Sequence, residues 1–205
     1  TLLLRLEGLA VERVRDGAGE ELAHSQQEGT LSVLLTEASS AGDELSLVVE
    51  YAGRPRRGLA WVDGTELGSE YVAVEGRPQT AAWWYPVPTG TPQPFEASLA
   101  VDAPEGWTVA ALGEVARDGA ARFVSVEPLA PDDLTFVAGP FHVAERAAVG
   151  VRILGPAALA DELERAVEQM ARARLFGATW FDGPERGLQR ARATGLVLAH
   201  APAVA

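Results

Sequence analysis

Up to about residue 154 the sequence breaks into short apolar runs separated by turn residues, and this spacing constrains the fold most strongly. Strands are expected over residues 2–6, 9–14, 31–35, 45–49, 71–74, 95–101, 107–115, 121–126, 134–137 and 149–154. In the run 95–101, Phe95, Ala97, Leu99 and Val101 alternate onto one face. Asp16-Gly17, Asp63-Gly64, Pro104-Glu105-Gly106 and Asp118-Gly119 supply the turns, where Gly takes positive φ without strain. The implied fold is mostly β, a saddle-like or sandwich antiparallel β domain.

After Gly155-Pro156 the period changes. Leu159, Leu163, Val167 and Met170 fall on one helical stripe over residues 158–175, with acidic residues early and arginines late, as the helix dipole favours. Gly177 reads as its C-terminal stop. The turn-rich Asp182-Gly183-Pro184 and a short strand over 196–198 follow. One helix and one strand cannot bury a core alone, so they either pack on the β domain or open a second one. The expected division is a β domain over residues 1–154 and the start of a truncated α/β domain over 155–205. The chain opens at Thr1 directly inside a strand-like run, which suggests an excised piece.

A formal charge of −12 and a pI near 4.7 set the chain's field against a nucleic-acid partner, which needs clustered cations. No run approaches the roughly 20 apolar residues that cross a bilayer, and no basic-then-apolar leader stands at the start. A cytoplasmic protein with no membrane partner is expected. Cysteine is absent, which excludes thiolate metal sites and disulfides, and every basic residue is arginine.

His24, His142 and His200 lie far apart, with no H-E-x-x-H, so no metal site is expected within the chain. No G-x-S-x-G elbow, phosphate loop or dinucleotide fingerprint occurs, and no catalytic residue is assigned. Glu20-Glu21 and Asp132-Asp133 read as solvated turn pairs. The most unusual run is Trp83-Trp84-Tyr85. As a strand it would turn Trp83 and Tyr85 to one side and Trp84 to the other, serving a core and an interface. The sharper reading makes it a stacking platform for a sugar or peptide.

The run Arg77-Pro78-Gln79-Thr80-Ala81-Ala82-Trp83-Trp84-Tyr85-Pro86, then Thr91-Pro92, then Phe95 to Gly106, resembles the N-terminal domain of the zinc aminopeptidase family that includes aminopeptidase N. Further resemblances keep the family's order: Leu4 to Arg15, Ala41-Gly42-Asp43, Val49-Glu50-Tyr51-Ala52-Gly53 and Phe136-Val137-Ala138-Gly139-Pro140-Phe141. Leu175-Phe176-Gly177 resembles the entry into the catalytic domain. The departures are equally specific. The resemblance implies an acidic or amide group, gripping the substrate's free amine, where Arg77 stands. A looser alignment puts Arg192 where a second glutamate would lie. Two ammonium-attracting groups would then be two guanidiniums. The family's D-x-P is replaced by Thr89-Gly90-Thr91-Pro92, and its zinc helix would fall beyond Ala205.

The leading expectation is a non-catalytic fragment of a zinc aminopeptidase-like protein, its β domain walling the substrate cleft. Zinc would belong to the intact parent, and the partner would be a peptide or protein, the missing catalytic domain included. One alternative is a degenerate relative acting as scaffold or interaction module, with a carboxylate ligand for Arg77 and Arg192. Another is an unrelated β-sandwich binding module.

Overall fold

The computed structural model describes residues 1–38, 43–64, 70–74, 79–90, 93–111, 114–116, 121–125, 127–182 and 196–199. Its strands begin with β1 (Leu2–Arg5), β2 (Ala10–Asp16), β3 (His24–Gln27), β4 (Thr30–Val33) and β5 (Leu47–Ala52). They continue with β6 (Leu59–Val62), β7 (Tyr71–Val74), β8 (Val87–Pro88), β9 (Ser98–Val101), β10 (Thr108–Ala111), β11 (Glu114–Ala116) and β12 (Ala121–Val124). Then come β13 (Phe136–Gly139), β14 (His142–Arg146), β15 (Val151–Gly155), helix α1 (Ala160–Asp182) and β16 (Leu196–Ala199). The fold is mostly β, with several antiparallel sheets, one long helix and a short closing strand.

Two compact units emerge, and each is discontinuous in sequence. The first comprises Thr1–Ala60, Val74–Phe95 and Pro128–Leu134. Its main sheet has the order β3-β4-β1-β8, with neighbours antiparallel, and β2 pairs with β5 as a separate ribbon. Leu31 and Val33 alternate inward from β4 and join Leu4, Val14 and Leu22 in one buried cluster. The polar β3, His24-Ser25-Gln26-Gln27, was not legible as a strand because it lies at a sheet edge. Its Gln26 amide donates to the Leu6 and Leu9 carbonyls at 3.2 and 2.8 Å, while its Oε1 accepts from Val11 N at 3.2 Å. One side chain thus satisfies three backbone groups where β1 passes irregularly into β2.

The second unit comprises Trp61–Ala73, Glu96–Glu127 and Thr135–Ala205. It holds the β11-β12-β9 sheet, the β14-β15-β16 sheet and most of a sheet ordered β10-β13-β7-β6. Tyr71, Ala110, Val137, Phe141 and Leu154 form one core cluster. β14 and β15 are an antiparallel pair, whereas β16 joins β15 in parallel. Such a parallel neighbour requires a crossover, and α1 lies between the two strands in sequence.

Helix α1 buries Leu163, Val167 and Ala171, spaced at i, i+4 and i+8, on Ala144, Val149, Val151 and Ile153. Gly155 brings the strand close, since a Cβ there would lie 3.1 Å from the Leu163 methyls. The helix does not stop at Gly177 but continues through it to Asp182. A lone interior glycine costs only about 1 kcal/mol, which neighbouring helical bonds can offset. No described helix is long and apolar enough to cross a membrane.

Candidate functional site: an aromatic turn held by Asp132

The Trp83-Trp84-Tyr85 run is not a strand. Residues Ala81–Trp83 form a single 3₁₀ turn, with Trp83 N donating to Thr80 O at 3.0 Å and Trp84 N to Ala81 O at 3.1 Å. The cause lies just upstream, where Gln79 takes a left-handed φ of 65°. That reversal turns successive N–H groups toward one point. Asp132 meets them there: its carboxylate accepts from Gln79 N at 2.8 Å and from Thr80 N and Ala81 N at 3.1 Å each. Asp132 therefore serves as an internal anion for a backbone nest, and is not the solvated turn residue the sequence suggested. Asp133, its neighbour, is exposed.

Although the run is a turn, its rings still divide as alternation would place them, Trp84 apart from Trp83 and Tyr85. Ala81, Ala82, Trp84 and Val87 are buried, while Trp83 and Tyr85 are half-buried. Trp84 and Tyr85 meet edge-on at 4.7 Å between centroids, and Tyr85 lies 6.4 Å from Phe95. The Tyr85 hydroxyl donates to Pro131 O at 2.7 Å, and the Tyr51 hydroxyl to Trp84 O at 3.1 Å. Burial, then the negative charge of Asp132, then Tyr51 push the Tyr85 phenol well above its ordinary value. It is a structural hydrogen-bond donor.

Two glycines let the backbone approach this turn. A Cβ at Gly58, whose φ is +80°, would lie 2.7 Å from Thr80 O and 3.1 Å from Trp84 Cδ1. A Cβ at Gly8, whose φ is +69°, would lie 3.4 Å from the Trp83 ring. The Arg57 guanidinium covers Trp83 at 5.5 Å from the ring centroid.

Arg77 and Arg192 both lie outside the described residues, as does His200. Gln79, two positions after Arg77 in the chain, is fixed by Asp132. His24 Nδ1 lies 3.2 Å from Leu22 O, and His142 Nε2 lies 3.5 Å from Glu164 Oε1. Among the described residues, no three His, Asp or Glu side chains gather to hold a metal ion, so these residues do not fit a zinc site. Asp132, Gly58 and Arg57 went unread as parts of one site because their partners are distant in sequence.

No protein-family model matches the sequence, and no curated protein does. Solved structures do match. The M1 zinc metallopeptidase of Deinococcus radiodurans is similar over 100% of this chain and 49% of its own, at 21% identity and a TM-score of 0.66. A two-domain variant of an M1 zinc metallopeptidase, solved bound to L-arginine, matches over 99% of this chain and 49% of its own, with the same identity and TM-score. Leukotriene A4 hydrolase of Saccharomyces cerevisiae matches over 87% of this chain and 29% of its own, at 19% identity and a TM-score of 0.63. The chain thus spans under half the length of each. The likeness shows the fold, which is shared with part of these zinc metallopeptidase structures and is consistent with an N-terminal domain of that kind.

Proposed function

We propose that this chain is the N-terminal part of a zinc aminopeptidase-like protein, non-catalytic by itself, whose β domain walls the substrate cleft of the parent. The observation that carries this reading is the similarity of the whole chain to about half of a zinc metallopeptidase, at a TM-score of 0.66. The aromatic turn supports it, because the motif run that resembles the family's substrate-facing segment is anchored there by Asp132. The division proposed is a β domain over 1–154 and the opening of a catalytic domain over 155–205. Zinc and its activated water belong to the parent's remaining portion. That remaining portion is also the proposed protein partner, in a cytoplasmic setting.

Arg77 and Arg192 are proposed as substrate-side groups. Guanidiniums at amine-binding positions repel an ammonium and attract a carboxylate. This sequence feature favours a second reading, a degenerate relative that binds acidic peptide without cleaving it. Reading the parent gene past Ala205 separates the two. An H-E-x-x-H followed by a downstream glutamate is expected; a frame lacking it sinks the enzymatic reading and leaves the scaffold.

A further inference from the structure

Three of the chain's 17 basic residues, Arg54, Arg56 and Arg57, fall within four positions of a protein whose net charge is −12. No carboxylate occurs from Tyr51 to Val62. All three arginines are exposed, whereas Pro55 and Gly58 between and beside them are buried. Two positive-φ glycines bound the loop, Gly53 at 139° and Gly58 at 80°. Gly58 has no room for a Cβ against Thr80 O, so the loop is seated on the turn that Asp132 fixes. The Arg57 guanidinium carbon lies over the half-buried Trp83 ring, 5.5 Å from its centroid. A guanidinium drawn to a ring by its charge still carries five N–H donors, more than that contact uses, for a carboxylate.

Six other arginines of the described residues pair with carboxylates, Arg5 with Glu7, Arg13 and Arg15 with Glu50, Arg146 with Glu164 and Glu168, Arg165 with Glu162 and Arg172 with Glu168, whereas Arg122 and Arg152 do not. Arg56 and Arg57 form no ion pair among the described residues. We propose that the 53–58 loop and Trp83 form a docking surface for an acidic peptide, with Arg56 and Arg57 receiving its Asp or Glu carboxylates beside the indole ring. Charge complementarity selects this occupant: the patch is a local cationic spot on an acidic molecule. An extended nucleic acid would meet repulsion from the rest of the surface. The proposal stands on the loop's own geometry and does not depend on the aminopeptidase reading.

The test is fluorescence anisotropy of a labelled, end-blocked hexaglutamate peptide titrated with the full chain. Binding is expected, weakening several-fold as NaCl rises from about 50 to about 200 mM. The double variant Arg56→Gln/Arg57→Gln should lose about tenfold in affinity, with near-UV circular dichroism unchanged, because charge-assisted bonds are removed from an exposed loop. The control Arg165→Gln/Arg172→Gln, on helix α1, should bind as the parent chain does. Absent binding at millimolar protein, equal affinity in the loop variant, or an equal loss in the helix control overturns the proposal. So does inorganic phosphate displacing the peptide more effectively than free glutamate, which would make the loop a phosphate site.

Discussion

Asp132 accepts three backbone N–H groups at once, so its removal takes a charged acceptor from three donors together. Asp132→Ala is expected to lower stability by about 2–3 kcal/mol in urea unfolding. Asp132→Asn should cost less, because its amide oxygen still accepts while its NH₂ faces a donor. Equal stability of all three proteins would contradict the anchoring role. Tyr85 gives a second test at this scale. Its phenol is held neutral in the fold, above the ordinary value near 10 that the unfolded chain would show. Stability from this group is therefore full below about pH 10 and is lost as pH rises toward the folded value. Tyr85→Phe should be less stable at neutral pH but show a shallower alkaline loss in thermal melts. The Trp-Trp-Tyr run stood out in the sequence, but its turn did not. That conformation is imposed from 51 to 53 positions away, by a carboxylate that the local pattern cannot report.

Among the elements, α1 was the most legible, because its 3.6-residue stripe is written in Leu163 and Val167, both buried against β14 and β15. Its end was not, since Gly177 carries a stop signal that the helix overrides. Leu163→Ala is expected to cost about 2–4 kcal/mol, for lost transfer energy and the cavity left beside Gly155. The outer face of α1 is tied to β14 through Arg146, whose side chain reaches Glu168 at 3.1 Å and Glu164 at 3.4 Å. Hydrogen bonds from Arg146, then from Arg172, hold the Glu168 carboxyl below its ordinary value. That contribution is present above the unfolded carboxyl's value near 4.3 and fades as pH falls through the lower folded value. Glu168→Gln should flatten this acid-side loss of helicity, measured by far-UV circular dichroism; an unchanged acid profile would place the sensitivity elsewhere. Most longer strands with alternating apolar residues were legible, whereas polar β3 and two-residue β8 carry too little pattern to be seen, and β6 and β14 also went unread.

For the whole molecule, the mostly-β class and the change of period near residue 155 could be read directly from residue spacing. The division into two units could not. Segments 74–95 and 128–134 return to the first unit without any shift in composition, because long-range strand pairing decides their place. Fold likeness to zinc metallopeptidases spans the whole chain, while the described residues offer no metal donor set. The function proposed above assigns catalysis to a longer parent and not to this chain. Its most direct test measures bound zinc and aminoacyl-amide hydrolysis side by side, on this 205-residue chain and on the product of the parent reading frame carried past Ala205. No zinc and no hydrolysis for the chain, with stoichiometric zinc and zinc-dependent hydrolysis for the longer product, is the predicted result. Zinc-dependent hydrolysis by the chain alone, or a longer product that neither binds zinc nor cleaves, would contradict it.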